Sequence, residues 1–298
     1  MYPCSNPELV AAVSEAGGLG VIQPVSLTYV YGYDFREGIR YIKSLTSKPF
    51  GMNVLIEQSS SRYRKKMQEW IDIALEEGVM FFITSLGKPD WVVEKVHAKG
   101  GKVYHDVTEL KWAKIAQKAK IDGLICVNAS AGGHSGDLEA QVLYEALKGL
   151  GLPLVCAGGI SNKENFKKVL DLGFQAVQMG TRFIASEECD VPLVYKEAIV
   201  KAQAEDIVYS LNLTGIKVSL INSKYVEKLG LVPNAFVLWM LSKSGLKHLV
   251  RLFYMLRSLV RLKASVKENS DAFFQAGKSV EGIHEIKPVR LIMEEFCA

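Results

Sequence analysis

The chain has 298 residues, 49% of them hydrophobic and 23% charged, which excludes a disordered protein and suits one large domain, alone or with a small appendage. A net charge of +4 is too mild to demand a nucleic-acid partner. The five cysteines (Cys4, Cys126, Cys156, Cys189 and Cys297) are scattered without a CxxC pair, so no metal site is expected.

The first segment, "SNPELVAAVSEAGG", reads as a helix with Ser5 or Asn6 as its cap and Pro7 in the first turn. Seven short apolar runs then alternate with amphipathic stretches. They are "LGVI" at 19–22, "PFGMNVLI" at 49–56, "VMFFITSL" at 79–86, "KVYHDV" at 102–107, "DGLICVN" at 122–128, "LPLVCAGGI" at 152–160 and "AVQMGT" at 176–181. Each has the length and β-branched content of a buried parallel strand. The stretches between them, such as "RKKMQEWIDIALEEG" and "WVVEKVHAKGG", carry helical spacing and end at glycine. No signal peptide and no apolar run of bilayer length is visible, and a cytoplasmic location is expected.

Strict alternation of strand and helix predicts a parallel sheet, and the count points to a TIM (β/α)8 barrel whose first strand is shortened or missing. Only "MYPCS" precedes the first helix, so a late start or a truncated fragment is the expected cause. An open seven-stranded sheet is the alternative. The expected division is a barrel over 1–205, a mostly helical basic subdomain over 206–270, and a C-terminal segment over 271–298 that packs back on the barrel. The middle part contains "NAFVLWMLSKSGLKHLVRLFYMLRSLVRLKASVK", with Arg251, Arg257, Arg261 and Lys263. A solvated basic face is preferred there to a membrane-bound one.

Ligands of such barrels bind at the carboxyl ends of the strands. Four segments fall there: Asn53 in "GMNVL", "SAGGHSG" after the fifth run, "AGGIS" after the sixth and "MGTRF" after the seventh. Glycine loops with free amides at helix starts cradle phosphate, so a phosphorylated ligand is expected. Two other motifs fail. "GGLG" at 17–20 lacks the third glycine of a dinucleotide fingerprint and leads into a strand. "AGKS" at 276–279 has Ala272 where a P-loop needs glycine, and for Lys278 and Ser279 a plain turn is preferred to a reach into the pocket from the tail.

"NPELVAAVSEAGGLGVI", "KPFGMNVLI", "SAGGHSG", "PLVCAGGI" and "AVQMGTRFIA" together resemble the FMN-dependent nitronate monooxygenase family, also called 2-nitropropane dioxygenases, in content and order. The resemblance implies FMN contacts at Asn53, Gly132, Gly133, Gly158, Gly159, Gln178, Met179, Gly180 and Thr181, with His134 as catalytic histidine. It also implies a nitronate or nitroalkane substrate oxidised by O2 to a carbonyl and nitrite, with His134 as base toward neutral nitroalkanes. NAD(P)H-dependent FMN reductases acting on enoyl-acyl carrier protein or on quinones share nearly all these motifs. That activity, and a non-catalytic flavin-binding barrel, are the alternatives; use of NAD(P)H and a homodimer stay open. Val127, Asn128 and Ser130 stand where the family usually carries a glutamine and an acidic residue. His105 is a secondary candidate for the site, while His97, His248 and His284 are expected in solvent.

Overall fold

A computed structural model describes residues 2–56, 61–212, 217–243 and 273–297, together with Leu246, Val250 and Tyr254. Seven parallel strands pair in chain order, each with its sequence neighbour. They are β1 (Val21–Ile22), β2 (Gly51–Leu55), β3 (Phe81–Ser85), β4 (Lys102–Val107), β5 (Gly123–Val127), β6 (Leu154–Ala157) and β7 (Ala176–Gln178). All seven apolar runs of the sequence are represented.

The helices return the chain between strands: α1 (Pro7–Glu15), α2 (Phe35–Leu45), α3 (Ser61–Glu76), α4 (Asp90–His97), α5 (Leu110–Lys118), α6 (Ala140–Leu147) and α7 (Lys163–Asp171). Their buried positions follow the helical period; in α3 these are Met67, Trp70, Ile71, Ala74 and Leu75. Asp34 caps α2 by accepting from the N–H groups of Arg36 and Glu37, and Asn162 caps α7 through Asn165 N–H. Asn6 precedes α1, but its side chain makes no cap bond. It instead donates to the Glu188 carbonyl and accepts from Asp190 N–H, tying α1 to a distant loop.

Strand residues alternate between two environments. Met52, Val54, Phe82, Val103, Cys126 and Cys156 turn outward into the helix layer, where the main core lies. Ile83, Ile125, Val127, Ala131 and Ala157 turn inward and pack with Val21, Phe81, Tyr104 and Val155. Inward side chains of the first and sixth strands share one cluster, so the sheet is curled into a half-barrel of TIM type. Its edges are β1 and β7, which are not paired with each other. There the interior cavity reaches the helix layer, because Leu9 and Val13 of α1 and Phe166 of α7 line it.

After β7 come α8 (Thr181–Ile184) and α9 (Leu193–Lys201). An antiparallel pair follows, β8 (Ile207–Ser210) with β9 (Val218–Ile221), then α10 (Lys224–Leu229) and α11 (Ala235–Ser242). The stretch read from sequence as mostly helical thus opens with a strand pair, an addition to that reading. Arg251, Arg257, Arg261, Lys263 and His248 lie outside the described residues. The chain ends with a 3₁₀ turn at Lys278–Gly282 and α12 (Val289–Cys297), which packs between α1 and α7. No described helix is long and apolar enough to cross a membrane.

Candidate active site

The carboxyl ends of the strands open into one cavity of about 2940 Å³. Its floor is apolar, with Phe81 and Tyr104 ring centroids 5.0 Å apart. Asn53, Gly132, Gly133 and His134 line it, as do Gly158, Gly159 and the run Gln178, Met179, Gly180, Thr181. All ten positions singled out in the sequence therefore face one space.

The glycines are there because backbones cross. A Cβ on Gly132 would lie 2.8 Å from Gly277 N, and one on Gly277 would lie 2.6 Å from Gly132 N. Gly158 has φ +114°, and its Cβ would meet Asn128 Oδ1 at 2.4 Å and Ala131 N at 2.5 Å. Neither a left-handed backbone nor such an approach tolerates a side chain.

Three layers of hydrogen bonds fix the loop that carries His134. Asn128, at its base, donates to the Gly158 carbonyl at 2.9 Å and accepts from Ser130 N–H at 2.8 Å. The β8–β9 pair braces it from outside: Ser219 N–H donates to the Gly133 carbonyl at 2.8 Å, and Tyr209 Oη–H to the Ala129 carbonyl at 2.8 Å. The C-terminal segment covers it, with Lys278 N–H on the Ser130 carbonyl and Gly277 N–H on Thr181 Oγ1, each at 3.0 Å. Asn128, Ser219 and Tyr209 were not foreseen as site residues. Only Asn128 left a signal, as a departure from the family pattern. It is a staple between two loops and is absent from the cavity lining, whereas Val127 and Ser130 line the cavity. Replacing Asn128 with alanine would leave the half-buried Gly158 carbonyl and Ser130 N–H without this partner, and is expected to cost about 1–3 kcal/mol in a urea melt.

His134 opens onto the cavity, and the protein around the ring lowers its pKa by desolvation, so the imidazole is neutral at neutral pH. His105 is different. It is buried on the outward face of β4, with Nδ1 2.8 Å from Thr84 Oγ1. Thr84 Oγ1 donates to the Tyr104 carbonyl, so Nδ1–H is the donor to Thr84. Burial brings this ring down to about 4, so it is neutral; it packs into the core and also borders the cavity. His97 is half-exposed and pairs with Asp122 at 2.8 Å; His284 is exposed. Ser279, read from sequence as part of a plain turn, lines the cavity and is buried.

This arrangement fits a flat, phosphorylated cofactor. The glycine bends leave room only for a ligand or bare backbone, and the N–H groups of Gly159, Ile160 and Gly180 have no acceptor among the described residues. Thr181 and Ser279 add hydroxyls at the same rim, and the walls below are apolar. No cluster suited to a metal ion occurs among the described residues.

Comparison with known proteins agrees with this geometry. A (3aS,4S,5R,7aS)-5-hydroxy-7a-methyl-1-oxo-octahydro-1H-indene-4-carboxyl-CoA dehydrogenase from Rhodococcus jostii (strain RHA1) is 27% identical over 272 residues, 91% of this chain and 74% of the relative. A probable nitronate monooxygenase from Staphylococcus saprophyticus is 26% identical over 271 residues, 77% of this chain and 76% of the relative. The solved structure of FabK from Thermotoga maritima matches with a TM-score of 0.82 at 30% identity, covering 100% of this chain and 89% of that one. Nitroalkane oxidase from Streptomyces ansochromogenes matches with a TM-score of 0.77 at 22% identity, covering 99% and 92%, a likeness of fold alone. The model of the family described as nitronate monooxygenase matches residues 1–298. The chain therefore belongs to the nitronate monooxygenase family, whose members are flavin-dependent oxidoreductases.

Proposed function

We propose that the protein is an FMN-dependent nitronate monooxygenase that oxidises alkyl nitronates and nitroalkanes with O2 to a carbonyl compound and nitrite. The observation that carries this reading is the convergence of three glycine bends and a neutral imidazole on one cavity. Gly158, Gly159, Gly180, Thr181 and Ser279 would hold the phosphate, and Asn53, Gly132, Gln178 and Met179 the ring system. When bound, the flavin supplies the electron acceptor for the substrate carbon and the route to oxygen. The chain's own part is position and proton transfer. His134 in its neutral form takes the α-proton of a nitroalkane, and the apolar walls exclude water from the anion that results.

A second reading is an NAD(P)H-dependent flavin reductase acting on an acyl thioester. Two observations favour it: the 30% identity to FabK, and a cationic side of the cavity formed by Arg62, Lys65, Lys66 and Lys88. Such a rim suits the phosphates of a carrier-bound substrate.

An absorbance spectrum of the purified protein, followed by a nitronate titration under air and anaerobic mixing with NADH, separates these readings. A yellow chromophore with nitronate-dependent oxygen uptake is expected. Loss of the yellow colour with NADH, but no reaction with nitronate, would reverse the order. A colourless protein would leave a barrel without this chemistry.

A further inference from the structure

Asp106 occupies an inward position of the half-barrel that its neighbours keep apolar. Along β4 the residues at 103, 105 and 107 are buried toward the helices, which leaves Tyr104 and Asp106 facing inward. The strand register sets Asp106 beside Ile125 of β5 and one inward position above Tyr104, which pairs with Gly123. Ile83, Ile125 and Val127 make the surrounding wall. Asp106 lines the cavity, and its Oδ1 is fully buried with no hydrogen-bond partner among the described residues. An orphaned carboxyl oxygen in such a wall is strongly disfavoured unless the carboxyl is protonated, with the proton carried on the other oxygen.

The loop bearing His134 runs close by. A Cβ on Gly136 would lie 3.3 Å from Thr108 Cβ, two residues beyond Asp106. Both ionisable groups line the same cavity. Tyr104 precedes Asp106 on the inward face of its own strand, and the buried Cys126 thiol of β5 feels its charge. The inward positions of β3 and β5 (Phe81, Ile83, Ser85, Gly123, Ile125 and Val127) carry no charge. Burial pushes the Asp106 carboxyl up to about 7. Below its transition Asp106 is a neutral acid, while desolvation favours the neutral form of His134, a division that suits acid–base work.

The geometry points to Asp106 as a ligand-contacting residue: a carboxylic acid whose O–H donates a hydrogen bond to an anionic oxygen of the substrate. The choice of oxyanion rests on the nitronate reading above. As His134 takes the α-proton, the C–H electron pair moves into the C=N bond and negative charge collects on the nitro oxygens. Asp106 holds that charge and keeps its own proton, so one proton moves in all, from carbon to imidazole. An ionised Asp106 would repel the same oxygens.

The test is nitrite, an oxyanion that needs no turnover, titrated into the flavin-loaded enzyme and read from the visible spectrum. Nitrite affinity should fall about tenfold for each pH unit above the Asp106 transition, because only the protonated form donates. Asp106→Asn keeps an N–H donor without titrating, and should bind nitrite equally across the range. Asp106→Leu should bind it weakly throughout. Infrared spectra of the wild-type protein should show a protonated-carboxyl band that disappears over the same pH range and is missing in Asp106→Asn. A flat wild-type profile, or a pH-dependent one retained in Asp106→Asn, overturns the assignment even if the leucine variant fails to fold. If the nitrite pattern holds but nitronate is not consumed, the nitronate reading fails and Asp106 stands. Nitronate consumption with a flat nitrite profile overturns Asp106 alone.

Discussion

Gly158→Ala is expected to destabilise the protein by about 3–5 kcal/mol and to abolish retention of flavin through gel filtration. Two costs combine. The backbone at φ +114° lies where side chains are rarely accommodated, and the new methyl would meet Asn128 Oδ1 at 2.4 Å and Ala131 N at 2.5 Å. None of these contacts is with a flexible side-chain tip. Asn128 is held at both ends of its carboxamide, and Ala131 N belongs to the loop that carries His134. Relief would require the loops after β5 and β6 to separate, which also opens the rim proposed to hold the phosphate. Against a typical total stability of about 5–15 kcal/mol, the loss is large enough to read directly from a urea transition. Gly149→Ala is the matched control, since its added Cβ would meet nothing within 4 Å. A Gly158→Ala protein with a wild-type midpoint and full yellow colour would show that the two loops are not locked as described.

Replacing His134 with alanine should lower kcat/KM for a neutral nitroalkane about 10²–10⁴-fold, the usual worth of a positioned general base. The effect on a preformed nitronate should be far smaller, because its carbon has already lost the proton. The spectrum should be unchanged, since the loop keeps its Gly133–Ser219 and Ser130–Lys278 bonds. The pH profile gives an independent reading. Desolvation lowers the His134 pKa, so His134 gives the nitroalkane rate an acid limb, separate from the alkaline loss expected as Asp106 ionises. That acid limb should vanish in the alanine protein. Equal losses on both substrates would assign His134 to binding instead of proton transfer.

The half-barrel was legible because parallel strands buried on both sides are written as short unbroken apolar runs, and glycines punctuate the helices between them. The same property made the rim legible: "AGGI" and "QMGT" begin on the last residue of a strand, and "AGGH" starts four residues after Val127, the end of β5. What escaped was whatever depends on the direction of one side chain. His105 and Asp106 are adjacent, and the two-residue period of β4 sends the first into the helix layer and the second into the cavity. Nothing in "VYHDV" itself says which is which; the pairing of β4 with β3 and β5 decides. The β8–β9 pair was missed for another reason. Its strands are four residues each and precede a long apolar helical pattern that dominates the reading of that stretch. In the sequence Asn128 is only a departure from the family pattern, and the position of the Gly158 carbonyl reveals it as a staple.

The hydrogen bond from Lys278 N–H to the Ser130 carbonyl joins residues 148 positions apart, whereas every strand of the parallel sheet pairs with its sequence neighbour. Pairings between neighbouring strands close short loops and can form early, while the Ser130–Lys278 closure carries a much larger entropic delay. During synthesis the sheet can therefore curl before the segment that seals its rim has left the ribosome. Until that segment arrives, the Ser130 carbonyl and the Thr181 hydroxyl lack the Lys278 and Gly277 amides that pin them. A ligand that binds only the sealed form would draw the equilibrium toward it in proportion to its concentration.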